Sequence, residues 1–119
     1  MANQKGRLLA RCQVINGCEY SIRVTKHALE QMEVRGVSGS DVVETIFALG
    51  IKRLLHLQKV SSCFCLINNR LNRTVILSMV KNRIIVLTVL AKAEQVFTKR
   101  GTWYIDVSNE SSSLGKEVA

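Results

Sequence analysis

Thr74-Val75-Ile76-Leu77-Ser78-Met79-Val80-Lys81-Asn82-Arg83-Ile84-Ile85-Val86-Leu87-Thr88-Val89-Leu90 is the stretch on which the fold turns. Lys81-Asn82 separates two β-rich runs by a two-residue turn, so the strands on either side should be antiparallel neighbours. Val75-Ile76-Leu77 and Ile84-Ile85-Val86-Leu87 are apolar on successive residues, not alternate ones. Both faces of each strand are then covered, which makes these the central strands, with helices over one side. Upstream, Ser61 to Asn68 and Ile51 to Gln58 read as two further extended runs, with Asn68 to Asn72 as a natural turn. The expectation is a four-strand antiparallel meander. Downstream, Ala91 to Lys99 has room for one or two helical turns, and Thr102-Trp103-Tyr104-Ile105-Asp106-Val107 for a last edge strand.

Ahead of the meander the period is helical. Thr25 stands at an N-cap position before Lys26 to Arg35, Gly36 supplies the stop, and Ala28, Leu29 and Met32 form the apolar stripe. His27, Gln31 and Arg35 fall on the polar side at successive-turn spacing. A second helix follows Ser38-Gly39-Ser40, with Val42, Val43, Ile46, Phe47 and Leu49 at core spacing, a Ser38/Asp41 pair resembling a capping box, and Gly50 at its end. Earlier still, Asn16-Gly17 lies between Gln13-Val14-Ile15 and Cys18 to Val24 and predicts a hairpin turn. In the second strand Tyr20, Ile22 and Val24 share one face, and Glu19, Ser21 and Arg23 the other. The fold class is α+β: an N-terminal hairpin or strand and two short helices packed on an antiparallel four- to five-stranded sheet. Residues 1–107 make one domain and 108–119 a flexible polar tail.

Composition narrows the function classes. Of 119 residues 47% are apolar, enough for a packed core and too many for a disordered polyelectrolyte. No apolar run approaches the roughly 20 residues that span a bilayer. Met1 to Arg11 carries Lys5, Arg7 and Arg11 without an apolar core segment, so it does not read as a secretory signal, and a cytosolic location is expected. Cys12, Cys18, Cys63 and Cys65 should then be reduced thiols, and their spacings are not those of zinc-ligand pairs. No cofactor or metal is expected. Asp41 and Asp106 are the only aspartates, which disfavours a two-metal nuclease, and no glycine-rich phosphate loop occurs.

The charge is positive and uneven. The formal net charge is +8, and between Ile51 and Arg100 ten basic residues face the single acid Glu94. That half attracts a polyanion. With 5% aromatic residues, contact to a phosphate backbone is the expected mode, not base stacking. A metal-free phosphodiesterase would need histidine, arginine, lysine and hydroxyl groups, the toolkit for cleaving RNA by attack of its own 2′-hydroxyl. His27 is the candidate general acid or base. Arg35 is a candidate phosphate ligand on the same helix side. Lys52, Arg53 and His56 would come from the first strand of the meander, and Arg83 and Thr88 from the last; Arg70 and Arg73 add nucleic-acid contacts. Each has an ordinary structural reading too: a surface histidine, an arginine favoured at a helix C-terminus, charges guarding an edge strand, a threonine in a β-run.

The segment Thr25-Lys26-His27-Ala28-Leu29-Glu30-Gln31-Met32-Glu33-Val34-Arg35-Gly36-Val37-Ser38 resembles a group of small bacterial and phage domains whose opening reads His-Ala-x-x-Arg-Met-x-x-Arg-Gly-Ile-Ser. That group looks like a branch of the RelE/BrnT-like ribonuclease toxins, and the likeness covers about Ser21 to Leu90. It implies one or two helices packed on an antiparallel sheet, His27 and Arg35 as the functional pair, and Thr88 as the threonine closing the last strand. Gln31 departs from it, standing where the group has arginine. The implied function is RNA binding with metal-independent endoribonuclease activity, and the implied partners are RNA and an acidic antitoxin. The alternative is a non-enzymatic regulatory module of phage or plasmid origin that binds nucleic acid or protein.

Overall fold

The computed structural model describes residues 7–15, 18–59, 61–94, 96 and 102–107, with only the backbone for Arg7, residues 9–15, Cys18, Ile51 and Lys52. The Asn16-Gly17 turn and the tail 108–119 lie outside the described residues. The elements run β1 (Arg7–Ile15), β2 (Cys18–Val24), α1 (Lys26–Arg35), α2 (Gly39–Leu49), α3 (Ile51–Leu57), β3 (Cys63–Asn68), β4 (Arg73–Val80), β5 (Arg83–Leu90) and β6 (Trp103–Asp106). This is an α+β fold.

The helix boundaries follow local chemistry. The Thr25 hydroxyl accepts the Ala28 N–H at 3.0 Å, and Gly36, at φ 68°, closes α1 in the left-handed region that glycine enters at little cost. Ser38 accepts the Asp41 N–H at 3.1 Å, which is half of the expected capping box; the Asp41 carboxylate goes elsewhere. Gly50, at φ 98°, ends α2 and turns the chain into α3.

Ile51–Leu57 is therefore a helix and not the first strand of the meander. Leu54 and Leu57, three residues apart, are the buried pair, and Lys, Arg and Leu are good helix formers. The alternation that placed Lys52 and His56 on one strand face does not exist. The described residues form three helices, and the meander is β3-β4-β5. Ala91 to Glu94 and Val96 carry no helical turn; the rest of that expected helix lies outside the described residues.

The sheet has six strands in the order β1-β2-β5-β4-β3-β6, so the two doubly apolar runs, in β4 and β5, are its centre. It is mixed and not antiparallel, because β2 pairs parallel with β5 and β6 parallel with β3. The reason is connectivity. The three helices carry the chain from β2 across the sheet to β3, a crossover long enough for strands to run the same way. One face, bearing Ile22, Val24, Phe64, Leu66, Val75, Leu77, Ile84, Val86 and Val89, packs on the helices as the main core. The other face carries a small second cluster of Cys63, Cys65 and Ile76, with Ile67, Val96 and Tyr104 against it.

Among the described residues, that second face is covered at one end. The Thr74 hydroxyl donates to the Lys92 carbonyl (2.7 Å) and accepts from the Glu94 N–H (3.0 Å), Asn72 accepts from the Ala93 N–H (2.8 Å), and the Tyr104 hydroxyl donates to the Val96 carbonyl (2.7 Å). These bonds fasten residues 92–94 and Val96 over β3 and β4. Beneath them burial pushes the Cys65 thiol up to about 11, which keeps it neutral and unreactive. No described segment crosses the β2/β5 end of the face. No described helix is long and apolar enough to cross a membrane.

Candidate functional site

His27, Gln31 and Arg35 do share one side of α1, on successive turns. With Glu30 and Val34 they line a shallow open groove of about 250 Å³. Two of the three are committed to the fold. β2 ends at Val24, its ladder closing with the Thr25 N–H to the Val86 carbonyl at 3.1 Å. Beyond that point β5 has no strand on this side. Thr88 pairs with Ile76 and Val86 with Leu77, so Leu87 is an extra residue that reverses the phase of β5. The Val89 peptide then faces α1: its N–H donates to Gln31 Oε1 at 3.0 Å, and its carbonyl accepts from Arg35 Nη1 at 2.7 Å. Two side chains of a helix finish the ladder a strand has left. Gln31 suits this task as an acceptor, which an arginine at the same place would not be.

Thr88 is not brought to this groove. It pairs with Ile76 of the second cluster and so stands on the opposite face of the sheet from α1. Arg53 and His56 sit on α3, the former half-buried and the latter exposed; the Lys52 side chain lies outside the described residues.

The remaining cations divide by turn. At the β3–β4 turn, Arg73 Nε donates to Asp41 Oδ2 at 3.1 Å with both side chains about three-quarters covered, and Arg70 Nη2 lies 3.4 Å from Glu44 Oε2 in an exposed pair. Beneath them the buried Asn68 donates to the Thr45 hydroxyl (3.2 Å) and accepts from the Leu71 N–H (3.1 Å), while Thr45 donates to the Asp41 carbonyl (2.8 Å). Arg70 and Arg73 are thus neutralised by α2.

At the β4–β5 turn the arrangement differs. Val80, Lys81, Asn82 and Arg83 line an open cavity of about 450 Å³. Register puts Arg83 beside Ser21 and Ile85 beside Arg23, and Val80 opposite Arg83, all on the face that no described helix covers, hereafter the helix-free face. Arg83 and Lys81 are exposed and Arg23 half-exposed; no ion pair holds any of the three among the described residues. Lys81 sits at φ 54°, a conformation that costs a lysine about 1 kcal/mol relative to glycine. Arg23 and Lys81 were not singled out from sequence as site residues, although the alternation in Cys18 to Val24 already put Arg23 on the face away from the core.

No protein-family model, curated protein or solved structure matches the chain. The reading of the site rests on its own geometry.

Proposed function

We propose that the protein is a nucleic-acid-binding module that grips phosphates with the open end of its helix-free sheet face. The observation that carries this reading is the set Arg23, Lys81 and Arg83. Arg23 and Arg83 share one sheet face by register, Lys81 and Arg83 line an open cavity at its edge, and no ion pair holds any of the three among the described residues. Ser21 and Asn82 supply polar groups alongside. Phosphate oxygens match arginine well, since guanidinium N–H groups can bind them in pairs. An acidic protein partner would compete for the same cations. The test is titration of labelled RNA or DNA by the protein at two salt concentrations, with Arg23→Ala/Arg83→Ala beside it. Binding that weakens with salt and falls at least several-fold in the variant supports the reading; undiminished binding by the variant removes this face from it.

Metal-independent ribonuclease activity is the second reading, and the groove that His27 shares with Arg35 is what favours it. Arg35 spends one N–H on the Val89 carbonyl and has others to offer a phosphate. Incubation of end-labelled RNA with the protein in excess EDTA, with and without His27→Ala, decides it. Fragments with cyclic-phosphate ends that vanish in the variant support cleavage, and intact RNA rejects it.

A further inference from the structure

We infer that the ligand of the helix-free face is a double helix held by its phosphates, in preference to a single strand held by its bases. The inference rests on the nucleic-acid reading above and concerns the same face. Single strands are bound tightly where exposed rings offer stacking platforms. The chain has six aromatic residues. Tyr20 and Phe64 are buried in the main core, and Trp103 packs against it. Phe47 is exposed, but on α2, across the sheet. Tyr104 lies under Val96 with its hydroxyl bonded there, and Phe97 is outside the described residues. β1, the strand flanking β2, has no ring in its sequence. By register the neighbours of Arg23 and Arg83 on this face are Leu8, Glu19, Ser21, Ser78, Val80 and Ile85, none of them aromatic.

What is left is counterion release, and that favours the duplex. Double-stranded DNA carries a charge per ~1.7 Å of axis and releases about 0.9 counterion per phosphate neutralised, against about 0.7 for a single strand. Arg23 and Arg83 are diagonal neighbours on adjacent strands, their backbones about 8 Å apart. Lys81 extends the row at the tip of the β4–β5 turn. Its left-handed conformation is one that glycine or asparagine would adopt more cheaply, and a cation at that place has a use if the turn meets phosphate.

The experiment is competition binding of the full chain with a 20-base-pair duplex and each of its separated strands, in DNA and RNA versions, over a salt series. The expected result is a duplex bound several-fold more tightly than either strand, with a log–log salt slope of about −3 for three contacts. Arg23→Ala and Arg83→Ala should each make the slope shallower by about 1, while Arg70→Ala, whose guanidinium is already answered by Glu44, should leave it unchanged. Single strands bound as tightly as the duplex would overturn the inference and leave nucleic-acid binding standing. Binding to none of the six probes would overturn both. The DNA and RNA arms report which helix is preferred.

Discussion

The two turns of the β3-β4-β5 meander carry similar sequences and opposite electrostatics. Asn68 to Arg73 holds two arginines, and Val80 to Arg83 a lysine and an arginine. At the first turn α2 packs close enough for Asp41 and Glu44 to answer both arginines, and the buried Asn68–Thr45 bond fixes the turn against the helix. At the second turn no described helix supplies an acid to the cations. Its cations, joined by Arg23 from the parallel neighbour β2, keep their charge for solvent or a ligand. Charge counted along a chain is thus not charge available at a surface; what decides is which acids the fold delivers to the same place.

The largest expected effect tests the anchored turn. Asn68→Ala strips the buried Thr45 hydroxyl and the Leu71 N–H of their partner and should destabilise the protein by about 2–3 kcal/mol in urea denaturation. A loss under about 0.5 kcal/mol would mean the turn is held by something else.

Next come the paired arginines of the two turns, which should respond in opposite ways. Arg83→Ala should weaken binding to a duplex several-fold with an unchanged melting temperature. Arg73→Ala should leave affinity within about twofold and lower stability by roughly 1 kcal/mol, since it breaks a hydrogen-bonded, largely covered ion pair. If both variants behave alike, the contrast between the turns is wrong.

Asp41→Asn sharpens the point by making the first turn resemble the second. Freed of its carboxylate, Arg73 should raise affinity for a polyanion modestly, and stability should fall by about 0.5–1 kcal/mol. Equilibrium binding and chemical denaturation on one preparation read both. The smallest effect is expected at the tip of the open turn. Lys81→Gly relieves the left-handed strain and should stabilise by up to about 1 kcal/mol while shallowing the salt slope. Gain of stability without loss of affinity would remove Lys81 from the binding face.

Much of this was legible beforehand. Caps at Thr25 and Ser38, the stop at Gly36, the strands on either side of Lys81-Asn82 and their central place in the sheet were all read correctly, because each depends on residues within a few positions of one another. Ile51–Leu57 was misread as a strand for a local reason as well. In seven residues Ile51, Leu54 and Leu55 fit a helical period while Lys52, Leu54 and His56 fit an alternating one, and only packing of Leu54 and Leu57 into the core separates the two. At the candidate site, the common side of His27, Gln31 and Arg35 was visible from helical spacing. Their bonds to Val89 were not, since the bulge at Leu87 that turns that peptide toward α1 leaves no mark in an unbroken apolar run.

By itself the sequence determined an α+β chain with a strongly basic second half, little aromatic surface and a polar helix side bearing His27. Propensity, periodicity and composition act locally or by simple addition, so these features survive without knowledge of the fold. The tertiary structure alone decided that β2 and β6 join the sheet as parallel strands, that Thr88 lies on the far side of the sheet from His27, and that Arg70 and Arg73 are answered while, among the described residues, Arg23, Lys81 and Arg83 are in no ion pair. Those outcomes hinge on groups dozens of residues apart meeting in space, and the strength of an ion pair or a ladder bond depends on that meeting and on nothing nearer in the chain.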